Sequence, residues 1–251
     1  MIKFGQNFLI DKQVAKREVF YADINNGDVV LEIGPGKGIL TKLIAANAKK
    51  VISIEIDSKL VEKIENQLPN NVTIIHDDVL KVDFSSLPSF NKIVANLPFQ
   101  ISSPLTYKIL EYPFSKAVLI YQKDFADRMV ACTGTKQYSR LSVGIYYKTQ
   151  CRILETVNRN SFSPVPKVDS SIVEIIPRQK PPFEVLDESF FFDLLKKLFI
   201  HRRKKIKNTL EKLFDDIGKT PYLDNRIDEL SPEQIGELSN ILFNKNNHNI
   251  S

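Results

Sequence analysis

The chain predicts an α/β fold, a doubly wound and mostly parallel sheet that carries a small helical C-terminal domain. Three observations lead there. Short apolar runs alternate with amphipathic stretches from residue 29 to residue 121, as strand–helix–strand crossovers require. A glycine-rich turn follows the first of these runs and opens a helical pattern. A proline cluster ends the alternation, and beyond it the apolar spacing is helical only.

Val29 to Ile33, Val51 to Ile56, Val72 to Ile75, Ile93 to Ala95 and Ala117 to Tyr121 read as buried strands, short and rich in β-branched residues. Between them, Ile39 to Ala48, Lys59 to Leu68 and Pro104 to Glu111 space their apolar residues for one buried helix face. Two later strand-like runs, Cys151 to Val157 and Ser170 to Ile176, flank a proline-rich link. Their closeness predicts an antiparallel pair at one sheet edge. Pro177 to Pro182 places three prolines in six residues, through which neither strand nor helix continues. The predicted domains are therefore residues 1–178 and residues 179–251. In the second, Phe190 to Ile200 and Lys204 to Phe214 are candidate helices, and Ser231-Pro232-Glu233 places a capping serine before a first-turn proline. Asn244 to Ser251 is polar and is expected to fray.

At 251 residues the chain can bury a full core, and 43% hydrophobic with 26% charged residues is ordinary for a globular protein. A formal net charge of +5 permits a polyanionic partner without demanding one. Cys132 and Cys151, with no CxxC spacing, make neither a disulfide framework nor a metal site, and they read as core or inert thiols. No apolar run has the length of a membrane span, and the start lacks an apolar leader, so a cytoplasmic protein without a membrane partner is expected.

The turn Glu32-Ile33-Gly34-Pro35-Gly36-Lys37-Gly38 lets the backbone approach a ligand closely. In a dinucleotide fingerprint the third glycine would come one residue later. The glycines by themselves leave a nicotinamide dinucleotide and S-adenosylmethionine both open. Glu55 ends the second strand, where a carboxylate can accept from a ribose diol in either ligand. Asp78 follows the third strand and is placed to bond an adenine amino group; its neighbour Asp77 is a rival that strand alternation does not exclude.

Asn96-Leu97-Pro98-Phe99 follows the fourth strand. By itself it is an ordinary turn. At the carboxyl end of a strand in such a sheet, however, it faces the ligand crevice. An aromatic amine is a weak nucleophile because its lone pair is delocalised into the ring. Two acceptors on its hydrogens, the Asn96 side-chain carbonyl and a backbone carbonyl of Leu97-Pro98, favour a pyramidal nitrogen. Phe99 offers a face for stacking the base, a contact of about 1–3 kcal/mol. The sequence thus predicts methyl transfer from S-adenosylmethionine to the amino group of a nucleobase, with positioning carrying most of the rate and no metal needed.

These residues resemble the small-subunit ribosomal RNA adenine N6,N6-dimethyltransferase family (KsgA-like), nearest its archaeal and eukaryotic branch. The resemblance is carried by Gly5-Gln6-Asn7-Phe8-Leu9, Glu32 to Gly38, Ile54-Glu55-Ile56-Asp57, Asp78, Asn96 to Pro104 and Phe162-Ser163-Pro164-Val165-Pro166-Lys167-Val168. It implies a Rossmann-like class I methyltransferase sheet. It implies also that Asn7 and Leu9 border the cofactor, that Gly34 and Gly36 lie against it, and that Glu55 takes its ribose and Asp78 its adenine. Asn96 would touch both cofactor and target amine, and Phe99 and Phe162 would sandwich the base. The family dimethylates two adjacent adenosines in a hairpin loop near the 3′ end of small-subunit rRNA, late in subunit assembly. A large-subunit rRNA methyltransferase and an assembly factor acting by binding are the alternatives. The family's clamp commonly ends in tyrosine, where this chain has Phe99; stacking survives that change.

Residues 194 to 210 hold seven Lys or Arg and no acid, a cluster suited to RNA phosphates. Arg202, Arg203, Lys204 and Lys205 form its centre. Arg140, in a predicted loop from Gly134 to Leu141, is a further phosphate candidate. The small ribosomal subunit is the expected partner, and nothing requires more than a monomer.

Overall fold

The computed structural model describes residues 6–214 and 217–248. Gly5, and Asn249 to Ser251 of the predicted tail, lie outside the described residues. The chain forms two compact units, Met1–Ala126 with Cys151–Pro177, and Asp127–Gln150 with Arg178–Ser251.

The first unit starts with a two-residue strand, β1 (Phe8–Leu9). Asp11 caps helix α1 (Lys12–Ala22), its carboxylate accepting from the N–H groups of Gln13 at 2.8 Å and Val14 at 3.3 Å. The crossovers then run β2 (Val29–Ile33), α2 (Ile39–Ala45), β3 (Lys50–Glu55), α3 (Ser58–Ile64), β4 (Val72–His76), β5 (Lys92–Asn96), α4 (Ser102–Ile109) and β6 (Lys116–Gln122). Helices α5 (Lys123–Met129) and α6 (Arg140–Lys148) precede β7 (Thr149–Val157), the short β8 (Phe162–Ser163) and β9 (Ser170–Pro177). The main sheet has seven strands in the order β4-β3-β2-β5-β6-β9-β7. From β4 to β6 all pairs are parallel, β9 is antiparallel to β6, and β7 lies at the edge beside β9. Strands β2, β3, β5 and β6 are buried along nearly their whole length, which explains their unbroken Val/Ile runs.

The predicted strands are present, with ends moved by a residue or two. Helix α1 was hidden because Lys12, Lys16, Arg17 and Glu18 interrupt its apolar stripe of Val14, Ala15, Val19 and Ala22, all buried against the sheet core.

The second unit contains α7 (Glu188–Ile200), α8 (Ile206–Leu210) and α9 (Pro232–His248). The structure moves the expected boundary between residues 178 and 179: residues 127–150 belong with the C-terminal helices. Tyr138, Val143 and Tyr147 are buried in one core with Phe191, Leu194 and Leu238, and the Tyr138 hydroxyl donates to the Leu230 carbonyl at 3.0 Å. The expected helix from Lys204 to Phe214 shrinks to α8. Its first residues are tied to a distant segment, with Ile206 N–H on the Asn225 carbonyl at 2.8 Å and Lys207 N–H on the Leu223 carbonyl at 3.0 Å. At the other end α9 runs past Asn244 instead of fraying there, and Lys245 ties it to the Ile217 carbonyl at 2.7 Å.

No helix among the described residues is long and apolar enough to cross a membrane. Burial pushes the Cys151 thiol up to about 12, an unreactive state; Cys132 is exposed.

Candidate active site

Strand β2 has β3 on one side and β5 on the other, both parallel to it. Chain crossing to opposite sides opens a crevice at the carboxyl ends of the strands. A cleft lies there. Gly34 and Gly36 line it from the turn after β2, Glu55 from the end of β3, Asp77 and Asp78 from the turn after β4, and Asn96 to Ile101 from the end of β5. Gln6, Asn7 and Phe8 line it from the N-terminal segment.

The glycine turn is held in a conformation that side chains disfavour. Gly34, Gly36 and Gly38 have φ of 70°, 56° and 75°. A Cβ on Gly36 would also stand 2.9 Å from Cδ1 of Phe8, so this close approach needs the absence of a side chain. Phe8 carries Lys37 over its ring at 5.2 Å.

Under the turn, Glu32 is fully buried and accepts from Ser53 Oγ at 2.6 Å and Thr41 Oγ1 at 3.0 Å. Burial raises its carboxyl to about 7, against the two hydroxyls and with help from the Glu55 charge. Glu55 accepts from Gly36 N–H at 3.3 Å and Asp57 N–H at 3.0 Å. Burial raises its carboxyl too, partly offset by these N–H groups. A carboxylate has about four lone-pair sites, so Glu55 retains capacity for a ligand. Asp77 accepts from Asp78 N–H at 2.7 Å, and Asp78 from Leu80 N–H at 3.0 Å; both line the cleft, so the rivalry between them stands. Glu55, Asp77 and Asp78 are three carboxylates, and no Lys, Arg or His joins them among the described lining residues.

Asn96 is the last residue of β5. Its Nδ2 donates to the Asn7 carbonyl at 3.1 Å, while its Oδ1 is buried with no hydrogen-bond partner. A buried, unsatisfied acceptor costs about 1–3 kcal/mol. Ile101 N–H takes the Pro98 carbonyl at 3.1 Å, and Phe99 lines the cleft half-buried.

The structure therefore gathers Asn7, Gly34, Gly36, Glu55, Asp78, Asn96, Leu97, Pro98 and Phe99 around one cleft. Leu9 and Phe162 are not among them, which corrects two expectations. Successive strand residues face opposite sides, so β1 turns Phe8 to the cleft and Leu9 inward. Leu9 pairs with Phe162 across β1 and β8, and both are buried in the core with Val14, Ala15 and Val19. Phe162 is 0% exposed and offers no face to a base here. The sequence reading missed Phe8, whose signal was its place inside the quoted Gly5–Leu9 stretch.

Arg140 opens helix α6 instead of sitting in a loop, and it belongs to the second unit. The four central basic residues separate. Arg202 is spent internally, donating to the carbonyls of Lys136 at 2.8 Å and Thr135 at 3.0 Å and to Asp228 at 3.2 Å. Lys205 faces Asp224 at 2.9 Å. Arg203 and Lys204 are exposed and line a separate groove.

Comparison with known proteins agrees with this geometry. The profile described as ribosomal RNA adenine dimethylase matches residues 1–243. A protein of Thermococcus onnurineus named probable ribosomal RNA small subunit methyltransferase A is 44% identical over 249 residues, covering 93% of this chain and 89% of that one. A Methanosarcina acetivorans protein of the same name is 40% identical over 253 residues, covering 96% and 93%. The crystal structure of a dimethyladenosine transferase from Plasmodium falciparum matches with a TM-score of 0.80 at 30% identity, over 96% of this chain and 98% of that one. That of the 23S rRNA methyltransferase ErmE matches with a TM-score of 0.70 at 27% identity, over 94% and 100%. With a family profile spanning nearly its whole length and relatives this similar, the chain belongs to the ribosomal RNA adenine dimethylase family.

Proposed function

We propose that this protein transfers methyl groups from S-adenosylmethionine to the N6 amino groups of two adjacent adenosines. The target is a 3′-terminal hairpin loop of small-subunit rRNA, and the enzyme acts as a cytoplasmic monomer on the small ribosomal subunit late in its assembly. The observation that carries this reading is the buried, unpartnered Oδ1 of Asn96 beside Phe99 in an acidic cleft.

The residues present fit the cofactor. The cleft's carboxylates complement a ligand with a sulfonium and an ammonium group, whereas the pyrophosphate of a dinucleotide would meet three acids and no base. The missing side chain at Gly36 lets Phe8 pack against the turn at the cleft wall. Glu55 would hold the ribose, Asp78 the adenine, and Asn7, Gly34 and Gly36 the remainder. When bound, S-adenosylmethionine supplies an electrophilic methyl group on sulfur.

The remaining work falls to the protein's own side chains. Donation from Asn96 Nδ2 to the Asn7 carbonyl fixes which end of the amide meets the substrate: an acceptor. With the Pro98 carbonyl taken by Ile101, the Leu97 carbonyl is the second acceptor. Together they bind both amine hydrogens, localise the lone pair and aim it. Phe99 stacks the extruded base. After one transfer the amine keeps a single N–H, so stacking carries more of the positioning in the second. The product ammonium is acidic enough to lose its proton to water, and no general base is required.

Methyl-labelled S-adenosylmethionine, given with unmethylated small subunits, large-subunit RNA or free adenosine, tests this reading. Dimethyladenosine from small subunits alone supports it. Label in large-subunit RNA would move the target to the other subunit, a reading kept open by the likeness to ErmE. Cofactor binding without label anywhere would leave a protein that acts by binding.

A further inference from the structure

Two successive residues of β6 hold the turn that follows β5. The Ile120 carbonyl accepts from Leu97 N–H at 3.3 Å, at the front of that turn. The Tyr121 side chain meets α4 behind it, with its hydroxyl 2.9 Å from Thr106 Oγ1. Thr106 Oγ1 is also 2.6 Å from the carbonyl of Ser102, the first residue of α4. A carbonyl only accepts, so the single hydroxyl proton of Thr106 goes to Ser102, and Tyr121 is the donor to Thr106. Ser102 N–H in turn donates to the Phe99 carbonyl. A directed chain therefore runs from the Tyr121 hydroxyl through the Thr106 hydroxyl and the Ser102 backbone to the backbone of Phe99.

Tyr121, Thr106 and Ser102 are all buried. Tyr121 is fixed by stacking on Phe125, with ring centroids 5.1 Å apart at 23°. Burial raises its phenol well above the ordinary value, so it stays a donor. Ser102 Oγ is buried with no hydrogen-bond partner, so the chain passes through the Ser102 backbone alone. A threonine that bonds back one turn is common in helices. The second donor, sent from a strand of the sheet, is what sets this one apart, and successive hydrogen bonds in a buried site strengthen one another. Phe99 has no polar atom on its ring, so its face is held to the cleft only by packing and by its backbone.

We propose that Tyr121 and Thr106 are positioning residues for methyl transfer, their hydroxyl relay holding the turn that presents Phe99 and the Leu97 carbonyl to the target amine. The inference rests on the adenine-methylating role proposed above and adds what keeps its clamp in place. Because stacking carries more of the positioning in the second transfer, loss of the relay should fall chiefly on that step.

The test compares Thr106→Val, Tyr121→Phe and the double variant with the wild type. Thr106→Val removes both hydroxyl contacts and leaves the Tyr121 hydroxyl buried without an acceptor, so it should lower the melting temperature. Adding Tyr121→Phe removes that orphaned donor and should recover most of the loss. The methylation defect should not recover. At saturating RNA, the second transfer should slow about 2- to 10-fold relative to the first in Thr106→Val and in the double variant alike. Monomethyladenosine should accumulate while S-adenosylmethionine affinity stays unchanged. Thr106→Ser keeps the hydroxyl and should restore the wild-type product ratio. An unchanged ratio in Thr106→Val overturns the proposal. A ratio that returns to wild type together with the melting temperature leaves the hydroxyls a merely structural role and overturns it too. Amide hydrogen exchange of the ligand-free protein reads the relay without any chemistry: protection of Ser102 N–H should fall about 2- to 10-fold in the double variant. If the wild type transfers no methyl group, the proposed function falls by itself; lost Ser102 protection then still supports the relay, and unchanged protection overturns it. If only large-subunit RNA is labelled, the target moves and the product ratio is read on that RNA.

Discussion

Truncation of Asn96 to alanine should separate stability from activity. In the ligand-free protein Asn96 Oδ1 is buried without a partner, at a cost of about 1–3 kcal/mol, and Nδ2 makes one hydrogen bond of about 0.5–1.5 kcal/mol net. Asn96→Ala removes both. It relieves the unsatisfied oxygen but gives up the hydrogen bond to the Asn7 carbonyl, so the terms oppose and leave a net change of no more than about 2–3 kcal/mol. For a chain of this size each kcal/mol moves Tm by about 2–4 °C. Catalysis has no such compensation, because the acceptor acts only when an amine is present. Loss of one preorganised electrostatic group costs about 2.7–4 kcal/mol, a hundred- to thousandfold fall in kcat. Thermal unfolding and single-turnover methyl transfer at saturating RNA measure the two sides. A kcat within tenfold of wild type would refute the clamp. So would a melting temperature so reduced that unfolding by itself explains the lost activity.

Three further outcomes concern the cleft and the core beside it. Phe99→Ala should lower kcat/KM about 5- to 150-fold, the equivalent of 1–3 kcal/mol of stacking, and should accumulate monomethyladenosine, while Phe99→Tyr keeps the product ratio. An unchanged ratio in the alanine variant would remove the special weight of stacking in the second transfer. Phe162→Ala should act as a core truncation costing about 3–5 kcal/mol, visible as a lowered melting temperature; a raised KM at unchanged melting temperature would return Phe162 to the base. Glu32 titrates near 7 when folded, against 4.5 for the ordinary group, so the folded state keeps its proton where the unfolded chain has lost it. Its stabilisation is full below about pH 4.5 and is lost as pH rises towards 7, about 3 kcal/mol in all. Glu32→Gln should flatten the stability profile across that window, and an unaltered slope would contradict the assignment.

Local chemistry made much of this protein readable before its structure. Strand runs such as Val29–Ile33 and Lys92–Asn96 announce themselves because a strand buried on both faces must be apolar throughout. The turn at Gly34 to Gly38 is visible because its positive φ angles call for glycine. Asn96-Leu97-Pro98-Phe99 is visible because its place at a strand's end already points it to the crevice. Segments whose fate depends on distant partners were not readable. Arg140 looked like a loop residue, since the core that recruits Tyr138, Val143 and Tyr147 is built mostly by residues far along the chain.

The sequence by itself determined the sheet, the order of the turns at its carboxyl ends and the residue types they bring to the cleft, because each depends on residue type within a few neighbours. Only the tertiary structure decided orientation and pairing. It turned Phe8 to the cleft and Leu9 with Phe162 into the core, and it spent Arg202 on the carbonyls of Thr135 and Lys136 while leaving its neighbours Arg203 and Lys204 exposed. Neighbours of the same chemical type part ways because burial and hydrogen bonding are set by what the rest of the chain brings within a few ångströms, and no local pattern carries that information.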